Sequence, residues 1–194
     1  MNNPFMQALS VAADLLVLNA LTLVCSLPVV TAGASFAALH DITGQVVRGE
    51  ESYLVKPFFR SFKTNWKKST LLGLAILLAA ALLYFDYLVA AAMAPILRIP
   101  IVAICFIILA VAMYAFSLMA RYENSLKATL KNAVSLAIGY FPRTLAMVLF
   151  ATVLWLLAIR YYQFGVPILL MFGFSLPCYV NALLIKGIFD KLEN

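Results

Sequence analysis

Residues 49–69, reading GEESYLVKPFFRSFKTNWKKS, form a polar break between two segments apolar enough to cross a bilayer. The break carries Lys56, Arg60, Lys63, Lys67 and Lys68, with Arg48 just ahead of it. Short loops rich in Lys and Arg resist translocation, so a basic cluster beside a membrane span stays on the cytoplasmic side. This one stretch therefore constrains the orientation of everything around it.

The flanking runs decide the fold class. The chain is 65% hydrophobic and 11% charged, with a mean hydropathy of +1.00, whereas soluble domains are roughly half apolar and about a quarter charged. So few charges cannot coat a water-facing surface, and the composition predicts an all-α, polytopic transmembrane helix bundle. No polar stretch is long enough to bury a core of its own, so residues 1–194 read as one integral membrane domain. The net charge of +6 raises nucleic acid as a partner, but the bases sit in short loops between apolar spans, where membrane topology accounts for them. Cys25, Cys105 and Cys178 lie singly within apolar runs, without the His or Cys neighbours that a metal site needs. The N-terminus lacks a basic leader and places Asp14 where a signal peptide would be apolar, so no cleavage is expected.

Five spans are predicted, at about 9–27, 70–92, 101–120, 144–161 and 164–185, the last interrupted by Pro177. Pro28 and the small residues after it predict a break, followed by a helix from Thr31 to about Val47 lying at the cytoplasmic interface. Within the basic break, Phe58, Phe59, Phe62 and Trp66 recur at spacings of three and four while Lys56, Arg60, Lys63 and Lys67 do so on another face. That pattern predicts an interfacial amphipathic helix along the membrane plane, its aromatics in the headgroup boundary and its bases toward anionic lipid. A second such helix is expected after the third span, with Lys127 and Lys131 beside a stripe of Leu126, Leu130, Ala133, Val134 and Ala137. Prolines 95 and 100 predict a tight external turn around Arg98. Of the fourteen bases, twelve then fall inside, Lys186 and Lys191 closing the tail, and only Arg98 and Arg160 outside. The count predicts an N-terminus outside and a C-terminus inside.

The elements Pro28-Val-Val-Thr31-Ala-Gly33, Ala37-Ala38-Leu39, Val47-Arg48-Gly49-Glu50, Phe59-Arg60-Ser-Phe62-Lys63-Thr-Asn65 and Leu130-Lys131-Asn132-Ala133, in this order, resemble the YesL family, a domain of unknown function also called DUF624. The resemblance covers nearly the whole chain and is most specific in the first 70 residues. It implies a small protein of the bacterial plasma membrane, of a kind often encoded beside carbohydrate ABC transporters and glycan-degrading enzymes. It brings no catalytic residues with it.

Polar groups within the spans are the remaining candidates for a site. Asp14, Asp86 and Arg160 share a depth near the outer surface, where they read either as a structural ion pair or as a polar patch for an external ligand. Asn19 and Asn181 lie deeper and read as interhelical hydrogen-bonding groups or as substrate contacts. His40 and Asp41 read as a surface pair on the interfacial helix. Phosphate-binding glycine loops, HExxH and GxSxG are absent, so neither enzymatic chemistry nor a cofactor is expected. The expectation is a non-enzymatic accessory or regulatory protein whose cytoplasmic helices meet anionic lipid and components of a carbohydrate ABC transporter. The alternative is a small transporter or channel acting alone through Asp14, Asn19, Asp86 and Asn181.

Overall fold

The computed structural model describes residues 4–50, 53–93 and 95–193, and among them every regular element is helical. The α-helices are α1 (Pro4–Ser26), α2 (Ala32–Arg48), α3 (Val55–Met93), α4 (Arg98–Arg121), α5 (Leu126–Gly139), α6 (Phe141–Arg160), α7 (Tyr162–Phe172) and α8 (Ser175–Glu193). Four of them, α1, α3, α4 and α6, are long and apolar enough to cross a membrane, and α7 with α8, bent by 55° at a short break, is long and apolar enough as a pair to make a fifth. Leu78, Leu82, Phe85, Ile107 and Leu156 stay exposed on the outside of the bundle, as faces meeting hydrocarbon rather than water would. Residues 51, 52 and 94 and the side chain of Lys191 lie outside the described residues.

The expected interfacial helix after Pro28 is instead the centre of the bundle. A short 3-10 turn at Val29–Thr31 ends α1, and the Thr31 hydroxyl donates to Cys25 O at 2.7 Å. From there α2 enters between α1, α3, α4 and α8, with Gly33, Ala34, Ser35, Ala37, Ala38, Leu39, His40, Ile42 and Thr43 buried. Small side chains permit this: a Cβ on Gly73 of α3 would lie 2.6 Å from the Gly33 Cα, and one on Gly33 would run into the Ser69 carbonyl. Close backbone approach through small residues is how helices associate in lipid, where burial of apolar surface supplies no drive. Gly49, at φ 74°, ends α2 in the left-handed conformation, and its N–H caps the Gln45 and Val46 carbonyls.

The basic stretch is not a helix of its own. It is the first part of α3, 39 residues without a break, about 58 Å long against a hydrocarbon core of about 30 Å. Its apolar face therefore packs on protein rather than lying along the membrane. Leu54 and Phe58 are buried in one cluster with Leu18, Ala38, Leu39 and Ile42, while Phe62 packs on its edge. Phe59 and Trp66 remain exposed, as do Lys56, Arg60, Lys63, Lys67 and Lys68.

The second amphipathic helix, α5, starts on a Ser125 cap whose hydroxyl accepts from Ala128 N at 3.3 Å. It buries Thr129, Ala133, Leu136 and Ala137, leaves Lys127, Lys131 and Val134 exposed, and packs chiefly on α4 and α6. In the last span the break falls at Gly173 and Phe174, ahead of Pro177. Pro177 sits in the first turn of α8, where its missing N–H is one the helix leaves unpaired anyway.

Candidate functional site

Three polar features stand out. The first is the end of the bundle where the bases gather. Helices α2, α4 and α8 run parallel, since His40 meets both Ser117 and Cys178 while Arg48, Arg121 and Lys186 surround one small cavity of about 50 Å3. The Lys186 ammonium donates to Val47 O at 3.3 Å, and the Arg121 guanidinium lies 5.0 Å from the Phe189 ring centre. Each cation thus sits near a helix C-terminus, where the backbone dipole favours positive charge. Arg48 also pairs with Glu50 at 2.6 Å, and this hydrogen bond holds the Glu50 carboxyl below the usual range. Beside this end lies a polar groove of about 420 Å3 between α2, the basic half of α3 and the end of α4. Lys56, Arg60 and Arg121 line it together with Asp41, Gln45 and Glu123, and Gln45 donates to Asp41 Oδ1 at 2.9 Å. Lys68 reaches across to Asn124 O at 3.1 Å.

The second feature is His40, which is buried and not at the surface. Its Nδ1 is 3.1 Å from Ser117 Oγ, its Nε2 is 3.4 Å from Cys178 Sγ, and its ring stacks on Phe116 with centres 6.0 Å apart. Asp41, the next residue, faces the polar groove. A helix places adjacent residues about 100° apart, so the pair is split between interior and surface. The burial of His40 could not be read from the sequence, because only packing decides which side of α2 faces inward.

The third feature concerns the intramembrane polar residues. Asn19 is fully buried and serves the break between α7 and α8: its Nδ2 donates to Leu170 O at 2.7 Å and Leu169 O at 3.4 Å, and its Oδ1 accepts from Phe174 N at 2.9 Å and Ser175 N at 3.1 Å. A broken helix in lipid exposes such backbone groups, and each must be satisfied within the protein. Asn181, equally buried, lines a cavity of about 480 Å3 walled by apolar side chains of α2, α3, α4, α6 and α8. The expected grouping of Asp14, Asp86 and Arg160 does not form. Among the described residues none of the three makes an ion pair; Asp14 is half-buried, Asp86 and Arg160 are exposed, and Arg160 lies over the Tyr161 ring at 5.7 Å. Among the described residues no group of His, Cys, Asp and Glu could hold a metal ion.

The profile of the family described as "Protein of unknown function, DUF624" matches residues 15–87. That stretch holds the second half of α1, all of α2 and α3 as far as Tyr87, and so includes Asn19, His40, the Gly33–Gly73 contact and the basic face. The uncharacterized protein YesL of Bacillus subtilis is 30% identical over 159 residues, covering 81% of this chain and 70% of that protein. The chain belongs to the YesL family. A second relative, the uncharacterized protein YteU of the same bacterium, is 24% identical over 161 residues, covering 81% of this chain and 71% of its own. No solved structure matches. The YesL-family match confirms the resemblance carried by the motifs around Thr31, Arg48 and Phe59.

Proposed function

We propose that this YesL-family protein is a non-enzymatic accessory or regulatory subunit of the plasma membrane, which presents its basic end to a cytoplasmic partner belonging to a carbohydrate ABC transporter. The observation carrying this reading is the 420 Å3 groove, which combines Lys56, Arg60 and Arg121 with Asp41 and Glu123 on helices extending past the apolar part of the bundle. Mixed charge on a rigid, water-facing groove suits docking of a polar protein segment, since complementary charges fix register and suppress wrong partners. The carbohydrate assignment rests on the gene neighbourhood that the family resemblance implies. Exposed Lys63 and Lys67 beside the groove supply attraction to anionic headgroups as well.

In this reading the basic end and the C-terminus face the cytoplasm. Treating α1 as a crossing that ends on the cytoplasmic side, with α2 at that interface, puts the N-terminus outside. The turn at Val29–Thr31 favours another arrangement. Asn19 of α1 and Phe36 of α2 both flank Phe174, so α2 runs back beside the end of α1 and the two form a hairpin entered from the basic side.

A photo-reactive amino acid at Arg60 or Lys63, introduced in the native host, tests the proposal. Cross-links to a subunit or ATPase of a carbohydrate ABC transporter are expected, and cross-links to lipid alone would overturn it. Transport without a partner has one observation in its favour: His40 lines both the small basic cavity and the large apolar one. Sugar or ion flux through proteoliposomes holding only this protein, lost in His40→Phe, would establish that reading instead.

A further inference from the structure

The 480 Å3 cavity lies in the middle of the bundle, and its volume is that of a ligand site, commonly about 300–1,000 Å3. Phe36, Ile76, Met113, Phe116 and Trp155 are among its walls, and its rim includes Leu77, Leu109, Leu156 and Ile159. These four residues are exposed on the apolar outside of the bundle, so the cavity opens sideways onto the face that meets hydrocarbon. One wall group contradicts an empty apolar void. Asn181 is 1% exposed and its Oδ1 has no hydrogen-bond partner. An orphaned amide oxygen in low dielectric is costly, and nearly all such groups in native structures find a partner. Asn19 shows what a fully used asparagine looks like in this same bundle, with bonds at both ends of its amide. Neighbouring Cys178 and His40 are engaged with each other, so neither satisfies Asn181.

We propose that this cavity binds a bilayer-borne ligand with a hydrocarbon body and a hydroxyl group, the hydroxyl bonding to the Asn181 amide. A hydroxyl both donates and accepts, and rotation about the terminal torsion of Asn181 presents either end of its amide to the cavity. The apolar body fills the space between α3, α4 and α6, and entry is sideways from the membrane between the rim residues. This site does not depend on the groove at the basic end or on its partner.

The test uses the full chain in phosphatidylcholine nanodiscs. The protein has two tryptophans, so Trp66→Phe leaves Trp155, a wall residue of the cavity, as the sole indole reporter. Two bromine-bearing quenchers are titrated into the bilayer, 12-bromododecan-1-ol and 1-bromododecane, which differ in the hydroxyl. Quenching of Trp155 by the alcohol is expected to saturate, at a mole fraction roughly five- to tenfold below that needed for the alkane. Asn181→Leu should erase the preference while leaving the alkane curve in place. A preference arising only from the depth at which the alcohol sits in the bilayer would survive that substitution, and its survival overturns the proposal. Ala151→Leu, which fills the cavity from α6, serves as the independent variant should Asn181→Leu not fold. Saturable quenching is expected to disappear in it, and saturation that persists overturns the site. Quenching that rises in proportion to both probes without saturating, or equal access of aqueous iodide to Trp155, also overturns it.

Discussion

The side-chain amide of Asn19 bridges the backbone on both sides of the break in the last span, donating to Leu170 O at 2.7 Å and accepting from Phe174 N at 2.9 Å. One residue thereby joins α1 to α7 and α8 and stands in for the helical hydrogen bonds lost at a 55° bend. Replacing Asn19 with Leu keeps the branched shape and strands these groups, each worth about 1–3 kcal/mol when buried unpaired. The expected result is a loss of several kcal/mol in detergent-unfolding measurements. Asn19→Asp, whose buried carboxyl takes up a proton and so keeps one O–H donor and one acceptor, should fall between wild type and Asn19→Leu.

The Gly33–Gly73 crossing predicts a strong position dependence for a single added methyl group. Gly33→Ala forces the methyl into the Ser69 carbonyl, whereas a Cβ at Gly139 meets nothing within 4 Å. Overpacking at a close helix contact costs about 1–3 kcal/mol, and exchange of Gly139 for Ala in a helix gains up to about 1 kcal/mol. Melting curves of the two variants should shift in opposite directions.

Arg160 lies over Tyr161 and forms no ion pair with Asp14 or Asp86. Arg160→Leu should therefore change stability by no more than about 0.5 kcal/mol, the range of a surface exchange. A loss of several kcal/mol, recovered by also removing Asp14 or Asp86, would restore the ion pair that the shared depth suggested.

Cysteine labelling on a Cys-free background tests the orientation. A probe at Arg98 should react from outside and one at Lys63 only after permeabilisation, because Arg48, Lys56, Arg60, Arg121 and Lys186 gather at one end of the bundle while Arg98 starts α4 at the other. With α1 and α2 as a hairpin, a probe at Phe5 should also require permeabilisation. Reaction of Phe5 from outside would overturn the hairpin and restore the arrangement with the N-terminus outside.

The fold class, the apolar spans and the end at which charge gathers were legible in the sequence because each is a property of local composition: an apolar run needs no partner to be a helix in lipid, and a Lys cluster needs none to resist translocation. The family was legible for the same reason, its motifs being short and contiguous. What only the tertiary structure decided are relations between distant residues. Whether α2 lies on the surface or in the core depends on Gly33 meeting Gly73, and a pair of glycines carries no sign of its partner. Phe58 and Phe59 are adjacent and equally apolar, yet one is buried against Leu39 and the other exposed, which the angle of the α2–α3 packing alone selects. Asn19 and Asn181 look alike in sequence, two amides in apolar runs. The first meets a broken helix 151 residues away and the second meets an apolar cavity. A side-chain hydrogen bond works only within about 3.5 Å, and that distance exists only once the helices have packed.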